Sequence, residues 1–280
     1  MALILAGFAA LFYGVADFSG GLAARRSPVL VVVLFSQLLG ISVAVAALAL
    51  RWPGLPPLRD LLWGLLGGTF GTLGLFMLYG GIGRSIVAIV SPTSAVAGAV
   101  LPLGFAVCLG ERPSAMALAG CIFCLAAVLL LSREAGGDRP DRRSTRTALA
   151  YGALAGLGFG VFFTAISRAG SGSGLWPLVA ARVASLAATL VILCLRRQPL
   201  RLVPGDLLPT LAAGAADMGG NILFLLASQS GLLSLVVILA SLSPAPTVLL
   251  ARVFLAQRVT WARWAGLALA LAGVGLISAR

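Results

Sequence analysis

The chain has 280 residues, of which 60% are hydrophobic and only 10% charged, with a mean hydropathy of +1.07. A soluble domain is about half apolar, so this composition excludes one, because a 28.5 kDa body with so little polar surface cannot cover its outside in water. The formal net charge of +12 comes from Arg without any Lys or His, and these Arg residues lie at the ends of apolar runs and in short connections, a membrane headgroup and topology signal that gives no face for nucleic acid.

The first apolar run, Leu3–Ala23, follows an N-terminus with no positive segment. It continues into Gly14-Val15-Ala16-Asp17-Phe18 with no small-residue cleavage site, so it reads as a retained first span. Interruptions of Gly, Pro and Arg then delimit Pro28–Leu50, Asp60–Tyr79, Ser85–Leu109 and Ser114–Leu131. The one long polar connection is Arg133 to Thr147. Beyond it come Ala148–Ser167, Leu175–Leu195, Leu207–Ser228, Leu232–Leu255 and Trp261–Ser278. Each run approaches the ~20 residues that a helix needs to cross a bilayer. The expected architecture is an all-α membrane protein of ten transmembrane helices.

The second five runs repeat the first at a constant offset of 146. Gly14-Val15 falls on Gly160-Val161, Arg51 and Pro53 on Arg197 and Pro199, and Asp60-Leu61-Leu62 on Asp206-Leu207-Leu208. Gly68, Gly74 and Gly120 fall on Gly214, Gly220 and Gly266, and Ser132 falls on Ser278. Five spans is an odd number, so the second block enters the membrane with the opposite orientation, and an inverted repeat follows from counting. Residues 1–132 form the first five-helix repeat, 133–146 the polar linker and 147–280 the second repeat.

Glycines cluster inside the spans. Gly152, Gly156 and Gly160 share one helical face, as do Gly64 with Gly68 and Gly67 with Gly71, a spacing that lets backbones approach in lipid. Gly219-Gly220, beside Asp217 and Asn221, has the look of an opened segment lining a cavity. Cys108, Cys121, Cys124 and Cys194 all lie in apolar helices, where they are packing residues. Cys121 and Cys124 have CxxC spacing but no His and no polar shell, so no metal site and no cofactor are expected.

Assigning alternate connections to one side of the membrane puts thirteen Arg there and five on the other, which by itself places both termini outside. The ends of spans four and nine carry a further signal. Leu109-Gly110-Glu111-Arg112-Pro113-Ser114 closes the fourth, and Leu255-Ala256-Gln257-Arg258-Val259-Thr260 stands 146 residues later. With ten spans, the duplication and Leu242-Ser243-Pro244 entering the ninth helix, the chain resembles the EamA-type family of the drug/metabolite transporter superfamily over its whole length. Gln257 stands where the motif usually has Glu, and Gly98 where Pro244 would have its repeat partner. The resemblance implies two inverted five-helix halves around a cavity built from spans one, three, four, six, eight and nine. It also implies cytoplasmic termini and movement of small organic metabolites, often amino acids, frequently outward. The lipid bilayer and a small-molecule substrate are the partners expected, a proton is a candidate for coupling, and a monomer is expected.

Charged groups inside spans cost several kcal/mol unless paired or hydrated, which makes each a functional candidate. They are Asp17, Arg182, Asp217 and Arg252, of which Arg252 lies near a span end and can snorkel to the headgroups. Arg182 either pairs with an acid or lines the cavity. Tyr13 and Asp17 are one helical turn apart, as are Asp217 and Asn221, so each pair shares a face. The candidate cavity residues are Tyr13, Asp17, Gln37, Tyr79, Phe159, Trp176, Arg182, Asp217 and Asn221, with Phe12, Ser91, Thr93, Phe163, Gln229 and Ser243 as further aromatic and polar candidates. Glu111 and Arg112 at a span end read as an interfacial ion pair fixing helix ends. No nucleophile–base set and no metal ligands are in evidence for a membrane-embedded enzyme, and nothing resembles a filter ring for a channel. The expected function is a secondary transporter in the inner membrane that works by alternating access as an exporter, with an uncoupled facilitator or channel as the alternative.

Overall fold

The computed structural model describes residues 1–50, 52–84, 87–131, 142–255 and 260–278. Ser91 and Arg252 lie outside the residues whose side chains are described, as do Gln257 and most of the polar linker. Among the described residues the chain is helical and contains no strand. Lipid offers no hydrogen bonds to the main chain, so each long Leu-, Ala- and Val-rich run closes its backbone on itself.

The helices are α1 (Ala2–Ala23), α2 (Val29–Leu50), α3 (Leu58–Arg84), α4 (Val87–Cys108) and α5 (Ala115–Leu131), followed by α6 (Arg142–Ser167), α7 (Trp176–Arg196) and α8 (Leu207–Ser230). α9 (Leu233–Ala240), α10 (Pro244–Leu255) and α11 (Trp261–Ser278) complete the order. Six of them, α1, α2, α3, α6, α7 and α8, are long and apolar enough to cross a membrane, and shorter apolar helices accompany them. Proline punctuates the ends. Pro177 sits in the first turn of α7 and Pro244 begins α10, where a missing N–H costs nothing.

The expected ninth span is divided. α9 stops at Ala240, and Leu242 and Ser243 donate to the carbonyls of Leu239 and Ala240 in tight i→i−3 turns before α10 starts. Pro244 and Pro246 each lack a donor, so an unbroken ladder cannot pass through this segment. α8, by contrast, is continuous through Gly219-Gly220. Cβ atoms at these two glycines would come within 2.6–2.7 Å of the Phe12 and Tyr13 rings, so the pair is a seat for aromatic rings of α1 and not an opened segment.

Burial is inverted relative to a soluble protein. Gln37, Thr72, Arg182, Ser185, Thr189 and Asn221 are all buried, while Ile122, Leu195, Leu208, Val253 and Phe254 are 66–79% exposed. A broad apolar exterior around a polar interior suits a hydrocarbon solvent.

α1 packs along α8 and α3 along α6; α4 lies on α6, with α9 and α10 on α1; α5 pairs with α11; α2 touches both α7 and α8. Glycines make the close approaches. A Cβ on Gly152 would meet Thr93 and Val90, and one on Gly156 would meet Ala97 and Ser94, so this face of α6 sits directly on α4. A Cβ on Gly68 would collide with the Ala181 carbonyl oxygen, and one on its repeat partner Gly214 with that of Ser36.

Two polar ties join the halves. Asp60 Oδ2 accepts from Ser173 Oγ at 2.5 Å and from the Gly170 N–H at 3.0 Å. Asp206 Oδ2 accepts from Ser27 Oγ at 2.8 Å, and Ser27 Oγ in turn accepts from the Val203 N–H at 2.9 Å. Glu111 does not form the expected ion pair. Its carboxylate accepts from the N–H of Leu233 and Ser234 at 2.9 and 3.1 Å and from Ser234 Oγ at 2.7 Å, capping the N-terminus of the short α9.

Candidate functional site

A cavity of about 130 Å³ lies among α1, α2, α3, α4, α6, α7, α8 and the α9–α10 break. Lining by α2 and α7 corrects the expectation of a six-helix cavity, because Ser36 and Gln37 enter it from α2 and Leu178, Ala181, Arg182 and Ser185 from α7. Of the nine residues expected at the site, the cavity brings together Tyr13, Asp17, Gln37, Tyr79, Phe159, Arg182, Asp217 and Asn221. Trp176 is elsewhere. Its ring packs edge-on against Trp52 at 5.2 Å, and its Nε1–H donates to the Gly54 carbonyl at 2.9 Å, so it anchors the α2–α3 connection at a span end.

Phe163 and Ser243 also face the cavity. Phe12 does not; it seats on Gly219 and is 41% exposed. Thr93 packs against Gly152, and Gln229, near the end of α8, is a buried amide whose Nε2 has no partner among the described residues. Sequence reasoning missed Ser36, Thr72, Ser94, Phe162, Ser185 and Ser241, all of which line the cavity. Thr72 Oγ1 donates to the Gly68 carbonyl at 2.7 Å and shares a second hydrogen bond with Ser185 Oγ at 2.5 Å.

The polar groups form one connected chain. Arg182 donates from Nη1 to Gln37 Oε1 and from Nη2 to Asp217 Oδ2. Asn221 Nδ2 donates to the same Asp217 oxygen at 3.3 Å, and Tyr13 Oη donates to Asn221 Oδ1 at 2.9 Å. The spacing of Asp217 and Asn221, one turn apart on α8, is what lets a single residue bridge the α1 phenol to the ion pair. Arg182 therefore both pairs with an acid and lines the cavity.

Asp17 stands apart from this chain. Its Oδ2 accepts from Ser243 Oγ at 3.3 Å, and it has no basic partner among the described residues. The Ser243 hydroxyl is free to reach it because the α9–α10 break presents that residue beside α1. Thr247 Oγ1 donates to the Gly14 carbonyl at 3.1 Å, and a Cβ at Gly14 would collide with the Pro246 ring, so α1 and the broken helix are in direct contact here.

The signal that would have extended the residue list is the repeat itself. Positions 146 apart line the cavity together: Tyr13 with Phe159, Asp17 with Phe163, Ser36 with Arg182, Gly71 with Asp217, Leu75 with Asn221 and Ala95 with Ser241. The positions correspond while the chemistry does not, since no charged residue faces its own kind. Among the described residues no group of His, Cys, Asp and Glu is arranged to hold a metal ion.

Residues 146–279 match the EamA-like transporter family, part of the drug/metabolite transporter superfamily. The match covers the second half of the chain. A solved crystal structure superposes on 99% of this chain and on 96% of its own chain, with a TM-score of 0.79 at 19% identity, which establishes the shared fold. No curated protein matches the sequence. The family match and the six long apolar helices support a multi-pass membrane protein.

Proposed function

We propose that this chain is an EamA-type secondary transporter of the inner membrane that exports a small organic metabolite or drug by alternating access, its ten spans arranged as two inverted five-helix halves. Residues 1–132 and 147–280 are the halves in this reading, and substrate sits where they meet. The observation that carries it is the cavity whose lining positions correspond in pairs at the repeat offset while holding two carboxylates and one guanidinium away from lipid.

Helix pairing supports the inverted arrangement. Contact of α1 with α8 is matched by α6 with α3, contact of α4 with α6 by α9 and α10 with α1, and contact of α3 with α7 by α8 with α2. The two polar ties correspond as well, for Ser27 and Asp60 map onto Ser173 and Asp206 and each Asp bonds the Ser of the other half. Eight cavity residues expected from sequence (Tyr13, Asp17, Gln37, Tyr79, Phe159, Arg182, Asp217 and Asn221) are assigned to substrate contact or its support.

The test is flux in liposomes containing the purified full chain, with labelled amino acids, nucleosides, sugars and organic amines inside or outside. Saturable, counterflow-competent movement of at least one class, lost in Arg182→Ala, is the expected result. Linear, non-saturating movement would favour the facilitator or channel reading, and no protein-dependent movement of any class would refute transport.

A further inference from the structure

We propose that the ligand of this cavity is a small monovalent organic amine without a carboxylate, its ammonium held by Asp17 and its carbon skeleton by the surrounding aromatic rings. The inference rests on the reading of the cavity as a substrate site and names the class of molecule it takes.

Charge accounting gives the sign. Among the described residues two carboxylates and one guanidinium face the cavity, and the guanidinium is already committed to Gln37 and Asp217. One negative charge is left in excess, and it belongs to Asp17, whose single hydrogen bond among the described residues is the 3.3 Å contact from Ser243. A carboxylate inside the membrane with one long hydrogen bond and no cation is under-satisfied, and a ligand ammonium supplies both the charge and up to three donors.

Geometry supplies the rest. Tyr79 is 3% exposed and its hydroxyl rests in the notch left by Gly20, one turn beyond Asp17 on α1, with no hydrogen-bond partner among the described residues. It is therefore an unused donor and acceptor next to the free carboxylate. Phe163 occupies the repeat position of Asp17, and its ring meets Tyr13 edge-on at 5.9 Å, so an aromatic face stands where the other half has the acid. Aromatic faces attract a cation and, with the alanines and leucines of the lining, accept an apolar skeleton.

The same accounting excludes an amino acid. A ligand carboxylate needs a cation, and Arg182 is the one among the cavity-lining residues. Seating a carboxylate there makes it share Arg182 with Asp217; even with the ligand ammonium on Asp17, three carboxylates then face two cations, whereas an amine alone leaves the cavity neutral.

Matched probes decide the matter. Tyramine, tyrosine and tyrosol share one skeleton but carry an amine, an amine with a carboxylate, and neither; n-pentylamine, norleucine and 1-pentanol repeat the set without the ring. Thermal shift of the purified full chain measures binding, and counterflow in liposomes measures transport. The expected result is stabilisation and counterflow by tyramine, n-pentylamine or both, with neither amino acid nor alcohol effective at the same concentration. Asp17→Asn, with its own melting temperature confirming that it folds, weakens amine binding by ~30-fold or more, the usual loss when one partner of a desolvated charge pair is truncated. Binding and counterflow of the amino acids in preference to the amines would overturn the amine assignment while leaving transport intact. Equal binding of amines to Asp17→Asn and wild type would overturn the role of Asp17. Absence of any amine response would overturn the proposal itself, and absence of counterflow across all six probes would count against the transport reading separately.

Discussion

Asp217→Asn tests whether the ion pair at the centre of the cavity is as buried as its geometry shows. The Arg182 side chain is 8% exposed and that of Asp217 34%, so removing the acid's charge strands a guanidinium that water scarcely reaches. Stranding one member of a fully buried pair costs about 3–5 kcal/mol. Asp217 is a third exposed toward the cavity, which screens the pair and lowers the expected loss to ~2–3 kcal/mol. On the scale of soluble proteins of this length this is a fall in Tm of ~3–5 °C. Arg182→Gln, which leaves the better-hydrated partner behind, should cost less in charge terms but also loses the packing of the arginine stem against Gly40, where an added Cβ would lie 3.3 Å from Nε. The double variant should be more stable than the sum of the single losses, with a coupling of ~2 kcal/mol, well above the ~0.6 kcal/mol average for side-chain hydrogen bonds between membrane helices. Reversible unfolding of the four proteins in one detergent gives the cycle. Strict additivity, with a coupling below ~0.5 kcal/mol, would refute the argument that these charges meet in a desolvated interior.

Glu111→Ala should lower stability by ~1–2 kcal/mol through loss of the α9 cap, measured as a drop in Tm, while Arg112→Ala, which removes the other member of the once-expected ion pair, should change it little. Ser27→Ala and Ser173→Ala each remove one tie to an aspartate and should each cost ~1 kcal/mol; because the ties are far apart in the fold, the double variant should be additive, and a clearly non-additive Tm would show that they act together. Gly68→Val drives a side chain into the Ala181 carbonyl and should give no monodisperse protein in detergent, whereas Gly21→Ala, with open space around the new Cβ, should fold with equal or slightly higher Tm.

Spans bounded by Pro, Gly or Arg were legible to within a residue or two: Leu175–Leu195 against α7 at Trp176–Arg196, and Ser114–Leu131 against α5 at Ala115–Leu131. Composition set the membrane environment, and the cost of charge in lipid singled out Asp17, Arg182 and Asp217, because a hydrocarbon solvent penalises such groups wherever they fall along a helix. These properties are local or one-dimensional, so one chain suffices to show them. Pairing is neither. Two acids competed for Arg182, and only the approach of α7 to α8 assigns it to Asp217 and leaves Asp17 to Ser243, 226 residues away. Along the chain Glu111 has Arg112 as its neighbour, whereas the tertiary structure turns it onto the free N–H groups of α9, 122 residues on. Trp176 was an aromatic with two plausible stations, and its seat beside Trp52 depends on where the α2–α3 connection lies. The Asp60 and Asp206 correspondence was visible at the repeat offset, but that each reaches across to the serine of the other half was not. Which helix faces meet in lipid is decided by close packing and hydrogen bonding between distant segments, and a periodic apolar pattern carries no record of the partner.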